Sequence, residues 1–249
     1  MNTLKKLPVF FSLLLLFSCD EFPLSRLSDS ENAAGLKSAL EVGAKYALNT
    51  LGKEDGFLLD QAVKILLPPD AANLINFAKT NPILAIPLGN AAKILEEQLI
   101  LTINRAAEIA IDEVIPIVVN AITDMSIQDA TSILFAKNDR AATNYLIEKT
   151  FEPLSDVCYS VIEGALNKEI VPNLSAQKVW GGLTGLYNDI VWLLPYAPVQ
   201  RVETDLAIYT TEKALDAVFL KVGDEEVKIR TDVSARVSDL LKRVFGQLD

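Results

Sequence analysis

Apolar residues recur at helical spacing along most of this chain. From Ser30 to Leu51 they return every three or four positions, which predicts a helix with one apolar face, and Gly52 follows as its C-terminal stop. Residues 90–122 are apolar around most of the helical circumference, which is typical of a helix buried in the core. No convincing strand alternation occurs, so the pattern predicts an all-α fold.

Turn and capping residues divide the rest of the chain into further helices. The predicted helices cover residues 139–167, 176–194 and 204–230 and a last one that ends at Gly246. Prolines should break or kink helices, because proline lacks the backbone N–H and clashes with the preceding turn. The result is one multi-helix domain of about eight to ten helices. The expected breaks are Pro68–Pro69, Pro82, Pro87, Pro116 and Pro153, and the expected N-caps are Ser126, Ser175, Thr204 and Ser234.

The first 18 residues have the pattern of a bacterial lipoprotein signal. Their apolar core is shorter than the roughly 20 residues that a membrane-spanning helix needs, and it fits a secretory signal instead. A cysteine directly after such a signal is the residue that receives the lipid. The alternative is an ordinary cleaved signal followed by an incidental cysteine. The signal consists of Lys5 and Lys6, the apolar run Val9–Phe17, and Ser18 directly before Cys19.

Cleavage before Cys19 would leave an acylated tether over residues 19–30 and a helical domain over residues 31–249. The tether is polar and short, so the domain would lie close to the membrane that holds the lipid. We therefore expect a cell-envelope protein on the periplasmic side of the outer membrane. The inner membrane and the cell surface are the alternatives, since sorting rules for Asp20 differ between bacterial phyla.

Composition excludes several classes of function. The signal carries two lysines and no acid, so its removal lowers the net charge from −10 to −12. Such an acidic chain is unsuited to nucleic acid and to broad contact with an anionic membrane surface. The sequence contains no histidine, which excludes Ser-His-Asp and Cys-His catalysis and histidine-based zinc sites. We expect no metal, no cofactor and no nucleic-acid partner.

The remaining reactive side chains favour a structural interpretation. Cys158 lies within a helical apolar pattern and is interpreted as a small buried hydrophobe. The acidic groups Asp112–Glu113 and Asp224–Glu226 leave open a carboxylate-based hydrolase. Another alternative is a protein that binds an apolar ligand such as a lipid between its helices. We expect a binding or structural module rather than an enzyme, with the membrane, an envelope protein or a lipid as partner.

An aromatic and glycine-rich stretch runs from Trp180 to Tyr196. Gly181 and Gly185 lie one helical turn apart, which would let another backbone approach closely. The stretch is interpreted either as part of the core or as a mobile flap that contacts a membrane, a ligand or a partner. Its candidate interaction residues are Trp180, Tyr187, Trp192 and Tyr196.

Several sequence blocks carry a resemblance to a known family. They include Asp55–Phe57, Asn104–Glu108, Asp205–Phe219 and Asp239–Gly246, in this order. Together they resemble the bacterial domain of unknown function 4197 family over nearly all of the mature chain. The resemblance implies an exported, helical and often lipid-anchored domain, and it brings no known reaction.

The polar positions that recur in that family fall here on otherwise apolar helices. We hypothesise that they form one interior network joining the central helix to the C-terminal helices. For Arg105 and Glu108 the alternatives are a polar ligand pocket and a structural ion pair. The proposed network consists of Asn104, Arg105, Glu108, Asp129, Thr143, Lys213, Asp216, Arg230, Arg236 and Asp239.

Overall fold

Helices make up nearly all of the regular structure of this protein. The computed structural model describes residues 27–69, 82–171, 173–193, 201–202 and 205–249, so Cys19 and the signal lie outside the described residues. Within these ranges there are seven α-helices, one 3-10 helix and one short hairpin, which confirms the all-α prediction. They are α1 (Asp29–Leu51), α2 (Pro82–Asp124), α3 (Ile127–Leu134), α4 (Ala141–Leu166), β1 (Glu169–Val171), β2 (Leu174–Ser175), α5 (Ala176–Leu193), α6 (Leu206–Thr231), the 3-10 helix (Val233–Ala235) and α7 (Asp239–Phe245).

The first helix begins with a capping box. Ser28 Oγ accepts a hydrogen bond from the backbone N–H of Glu31, and Glu31 Oε2 accepts one from the backbone N–H of Ser28. Two of the otherwise unpaired N–H groups at the helix start are thereby satisfied. The helix ends at Gly52, whose N–H donates to Leu48, as predicted. Its start lies slightly earlier than the predicted Ser30.

Prolines do not break the helices in which they lie. The helix α2 runs through Pro87 and Pro116, and α4 runs through Pro153, so the predicted breaks at Pro87 and Pro153 and the division at Pro116 are wrong. A kink at Pro116, the other expectation, stays a prediction. A proline inside a helix costs about 3 kcal/mol. Packing outweighs that cost around Pro116, because Val114 and Val118 are almost completely buried. Pro82 starts α2, where a missing N–H has no consequence.

Four long helices position the rest of the molecule. The helix α2 packs along α4, α4 packs along α6, and α1 contacts α2, α3, α6 and α7. The core between them is aliphatic, with a few aromatic rings. Its most deeply buried side chains include Leu36, Leu48, Ile103, Ile111, Leu134, Leu154, Ile162, Leu206 and Val244.

Two of the four predicted N-caps are confirmed, and a different residue caps the helix in the other two cases. Ser126 caps α3, and Ser175 accepts from the N–H of Lys178 at the start of α5. Asp205, not Thr204, caps α6, while Thr204 itself lies outside the described residues. The prediction that Ser234 caps the last helix is wrong. Its N–H and hydroxyl both bond to Asp232, and Ser238 caps α7 instead.

None of the helices in the described ranges is both long enough and apolar enough to cross a bilayer.

Gly35 lies at a close contact between α1 and α7. A Cβ at this position would lie 2.4 Å from Cγ2 of Val244, which is fully buried and cannot move aside. We therefore expect Gly35→Ala to lower the free energy of unfolding by about 1–3 kcal/mol, measured by urea denaturation. Gly164→Ala is the control, because nothing lies within 4 Å of a Cβ there. A Gly35→Ala variant as stable as wild type would contradict this close contact.

Candidate functional site

The first buried polar cluster contains Glu226 and Arg230 on α6, here called the helix-end pair. Glu226 accepts hydrogen bonds from the backbone N–H groups of Ala142 and Thr143 at 2.9 and 2.8 Å and from the hydroxyl of Thr143 at 2.8 Å. These N–H groups lie in the first turn of α4, whose own N-cap residue, Arg140, makes no side-chain capping bond. Glu226 therefore caps α4 from a different helix, and its negative charge complements the helix dipole.

Arg230 bonds to the C-terminal end of α3, the helix that precedes α4. Its guanidinium donates to the carbonyl oxygens of Ile133 and Leu134, the last residues of α3, at 2.9 and 3.0 Å. Its Nε donates to Glu226 at 3.0 Å. Both side chains of the pair are almost fully buried. One ion pair thus satisfies the end of α3 and the start of α4, and it fixes the turn between them against α6.

Arg236 extends this cluster toward the end of the chain. It is 2% exposed and donates to the carbonyl oxygens of Ile229 and Arg230. Its two terminal nitrogens bond to the two carboxylate oxygens of Asp249, both at 2.7 Å. This bidentate hydrogen bond raises the pKa of Arg236 and lowers the pKa of Asp249. The cluster is fully occupied by the protein's own groups.

The second buried cluster holds the irregular segment 53–69, here called the loop, against α2. Asn104 is fully buried, and its Oδ1 accepts from the N–H of Ile65 at 2.9 Å. Its Nδ2 donates to the carbonyl oxygen of Ile65 at 2.7 Å and to that of Ile100 at 2.7 Å. The amide side chain therefore pairs with the loop backbone much as a neighbouring strand would.

Arg105 and Glu108 hold the beginning of the same loop. Arg105 donates to Glu108 at 2.6 Å and to Asp55 at 2.7 Å, and Glu108 accepts from the N–H of Phe57 at 3.2 Å. The bonds to Glu108 and Asp55 raise the pKa of Arg105, although burial opposes the shift. Asp55 has a φ of 67°, so the loop turns sharply there. This arrangement supports the structural ion pair over the ligand pocket.

The ten predicted network residues do not form one network among the described residues. Thr143, Arg230 and Arg236 belong to the first cluster, and Asn104, Arg105 and Glu108 belong to the second. The other four have local contacts. Asp129 bonds to Ser126 at the start of α3, Lys213 pairs with Asp216 within α6, and Asp239 pairs with Lys242 within α7. The ten residues fall into separate groups because each group bonds to a different helix end or to the loop.

The aromatic stretch is divided between the core and the surface. Trp180 and Tyr187 are 2% and 7% exposed and belong to the core, whereas Trp192 is 69% exposed. Tyr196 lies outside the described residues. The close backbone approach expected at Gly181 and Gly185 is absent from the described part of the chain, where both positions border open space. The buried half of the stretch is therefore packing, and Trp192 is its exposed member.

The acidic run Asp224–Glu226 does not form a pair of facing carboxylates. Asp224 pairs with Arg140, Glu225 pairs with Lys228, and Glu226 pairs with Arg230. Each acid is thus held by a different cation. No group of three metal-binding side chains occurs in the ranges that the structure covers.

The only thiol among the described residues is inert. Cys158 is 1% exposed, and burial raises its pKa to about 11. A thiol with such a pKa stays protonated at neutral pH and is a poor nucleophile. This supports the interpretation of Cys158 as a core residue.

Sequence reasoning missed an open cleft between α4 and α6, here called the α4–α6 cleft. Its volume is about 290 Å³. The phenol of Tyr159 donates to Oδ2 of Asp205 at 2.8 Å, which raises the pKa of Tyr159 to about 12. The only sequence signal is the spacing of Phe151, Ser155 and Tyr159, which places them along one helical face. The cleft is lined by Phe151, Ser155, Asp156, Tyr159, Ile208, Thr211 and Glu212.

Two further clefts are also open to solvent and of mixed polarity. One, of about 350 Å³, lies between residues 62–66 of the loop and α6, and the other, of about 330 Å³, lies between α1 and α6. Neither these nor the α4–α6 cleft is the closed cavity of leucine and isoleucine that a buried lipid would require. The described clefts therefore give no support to the lipid-binding alternative.

Comparisons with known proteins give one broad match and one partial match. The partial match is a pescadillo homolog of Ajellomyces capsulatus (strain NAm1 / WU24), which is 31% identical over 128 residues. The alignment covers 48% of this chain and 16% of that protein, so it says nothing about the domain as a whole. No solved structure matches the chain. The broad match is a family model described as "Protein of unknown function (DUF4197)", which covers residues 26–246. Because this range covers far more than half of the chain and includes all seven described α-helices, the chain belongs to the DUF4197 family.

Proposed function

We propose that this protein is a lipid-anchored protein of the bacterial envelope and that its helical domain is a binding module. The observation that carries the proposal is the position of Cys19, directly after a short apolar run with a basic start and before the helical domain. Cleavage before Cys19 and acylation of its thiol would fix the mature chain to a membrane. Two or more acyl chains anchor a protein stably, whereas one chain does so only marginally.

The distance from Cys19 to the domain suits a protein held at a membrane surface. The family match begins at residue 26 and α1 begins at Asp29. The segment from Cys19 to Ser28, directly before α1, reaches about 30 Å when fully extended, at about 3.3–3.6 Å per residue. The domain would therefore stay close to the membrane, where a ligand or partner in the envelope would reach it.

Charge argues for a lipid as the means of attachment. The mature chain has 21 basic and 33 acidic residues once the two lysines of the signal are removed, so anionic lipid headgroups repel it. Membrane attachment should then depend on acylation rather than on surface charge. We propose the periplasmic side of the outer membrane as its place.

The two buried clusters support a binding role over catalysis. Their charged groups are occupied by helix ends and by the loop, and the chain has no histidine. The acids of the run Asp224–Glu226 are held apart by separate cations. The described surface has open clefts that are accessible to other molecules.

Cys19→Ser tests the anchor. We expect the wild-type protein to be recovered in the membrane fraction, with an N-terminal peptide that begins at Cys19 and carries the mass of acyl chains. The variant should lack that mass and move to the soluble fraction. Intact-mass spectrometry and separation of inner and outer membranes provide the two measurements.

Cys158→Ala is the matched control, because it removes the other cysteine, which is buried in the core. It should remain acylated and membrane-bound. If Cys19→Ser stays in the membrane fraction with its signal removed, or if wild-type protein carries no lipid, the proposed anchor is wrong.

A further inference from the structure

Thr211 differs from the other threonines in the described helices. Eight of them donate a hydrogen bond from the hydroxyl to the carbonyl oxygen four residues earlier, among them the adjacent Thr210, which bonds to Leu206 at 2.8 Å. Thr211 is 3% exposed, yet its Oγ1 has no hydrogen-bond partner within the described part of the chain. An unpaired buried hydroxyl is destabilising, so its retention calls for an explanation. The eight are Thr50, Thr102, Thr123, Thr131, Thr150, Thr184, Thr210 and Thr231.

This hydroxyl belongs to a residue that lines the α4–α6 cleft. The outer walls of the cleft are apolar. Phe151 on α4 is 46% exposed and Ile208 on α6 is 43% exposed, so each helix contributes one large apolar side chain. Tyr159 adds a second aromatic ring, and its hydroxyl is committed to Asp205. An aliphatic chain could lie between these side chains.

The charges in the cleft are all negative. Asp156 comes from α4 and Glu212 from α6, and neither forms an ion pair in the described ranges. No basic residue lines the cleft. Lys213, the neighbour of Glu212, points to another cleft and pairs with Asp216. Two carboxylates without a cation of their own, beside aromatic rings, attract a positively charged group.

We propose that the α4–α6 cleft binds an alkylammonium group, supplied by a free amine or by a lysine side chain of a partner protein. An ammonium group has three N–H donors, and the two carboxylates of the cleft offer it acceptors. Thr211, whose buried hydroxyl has no partner, lines the same cleft. The aliphatic part of the ligand packs against Phe151 and Ile208. The proposal gives the binding module its ligand class, and it does not depend on the lipid anchor.

The test is a nuclear magnetic resonance titration of the full chain, purified in a maltoside detergent, which contains no amine. The probes are n-butylammonium, the peptide acetyl-Ala-Lys-Ala-amide, n-butyrate and n-butanol. We expect the two cationic probes to shift the backbone signals of Tyr159 and Thr211, and the other two to leave them unchanged. Tighter binding of the peptide by tenfold or more indicates a protein partner, and equal binding indicates a free amine.

Three variants separate this site from general charge attraction. Glu212→Gln should weaken n-butylammonium binding at least tenfold, whereas Glu113→Gln, which removes the same charge from an exposed position on α2, should not. Thr211→Val should weaken binding about threefold to tenfold and raise the melting temperature of the free protein, because it removes an unpaired hydroxyl.

The proposal is overturned if n-butyrate or n-butanol shifts the same signals, or if Glu212→Gln binds as well as Glu113→Gln does. A Thr211→Val variant that is more stable and binds unchanged would show that the hydroxyl has no part in the site. These outcomes leave the acylation and membrane retention of the protein unaffected, so failure here is distinct from failure of the anchor.

Discussion

Replacing Arg230 with methionine should lower the free energy of unfolding by about 3–5 kcal/mol. Methionine nearly fills the same space but cannot pair with Glu226, so a buried carboxylate is left without its cation. The variant also leaves the carbonyl oxygens of Ile133 and Leu134 at the end of α3 without their donors. Because the pair is almost fully buried, water cannot replace these bonds.

Urea denaturation followed by circular dichroism measures this loss. The double variant Glu226→Gln with Arg230→Met should be more stable than Arg230→Met alone, because it removes the uncompensated charge. Lys213→Met is the control, since Lys213 forms an exposed pair with Asp216 and such pairs contribute about 0–1 kcal/mol. If Arg230→Met and Lys213→Met destabilise the protein equally, the helix-end pair does not have the role assigned to it.

Periodicity was sufficient to predict the helical class and most helix limits, because both depend on residues close in sequence. Ser126, Gly52 and Gly246 act where local rules place them. The prolines show where local rules fail. Pro116 and Pro153 lie inside unbroken helices because buried neighbours such as Val114 and Leu154 hold the helices in place.

The candidate site was less predictable for a related reason. The sequence identified Thr143 and Arg230 but not their shared partner, Glu226, which lies in a run of three acids. Only helix phase and packing decide which of the three is buried. The only local signal of the α4–α6 cleft is the spacing of Phe151, Ser155 and Tyr159 on α4, which does not reveal the α6 side of the cleft. The cleft exists because α4 and α6 lie side by side, and Thr211 is distinctive only when its lack of a partner is seen.

Asn104→Ala should release the loop from α2 and lower the free energy of unfolding by about 2–4 kcal/mol. The reason is that the backbone N–H and carbonyl of Ile65 both lose their partner in a buried setting, where each unsatisfied group costs about 1–3 kcal/mol. Tyr209 also holds the loop, through a bond to the carbonyl oxygen of Leu66 at 3.1 Å, so the loop should loosen rather than detach.

Amide hydrogen exchange at Ile65, together with urea denaturation, tests this expectation. The Ile65 amide should exchange at least tenfold faster in Asn104→Ala than in wild type. Asn104→Asp keeps the acceptor for the Ile65 N–H but loses the donor to its carbonyl, so its exchange rate should be intermediate. Asn144→Ala, an exposed asparagine on α4, is the matched control and should change neither quantity. Unchanged exchange in Asn104→Ala would contradict the role assigned to Asn104 and leave the loop to its other contacts, such as Arg105 with Asp55 and Tyr209 with Leu66.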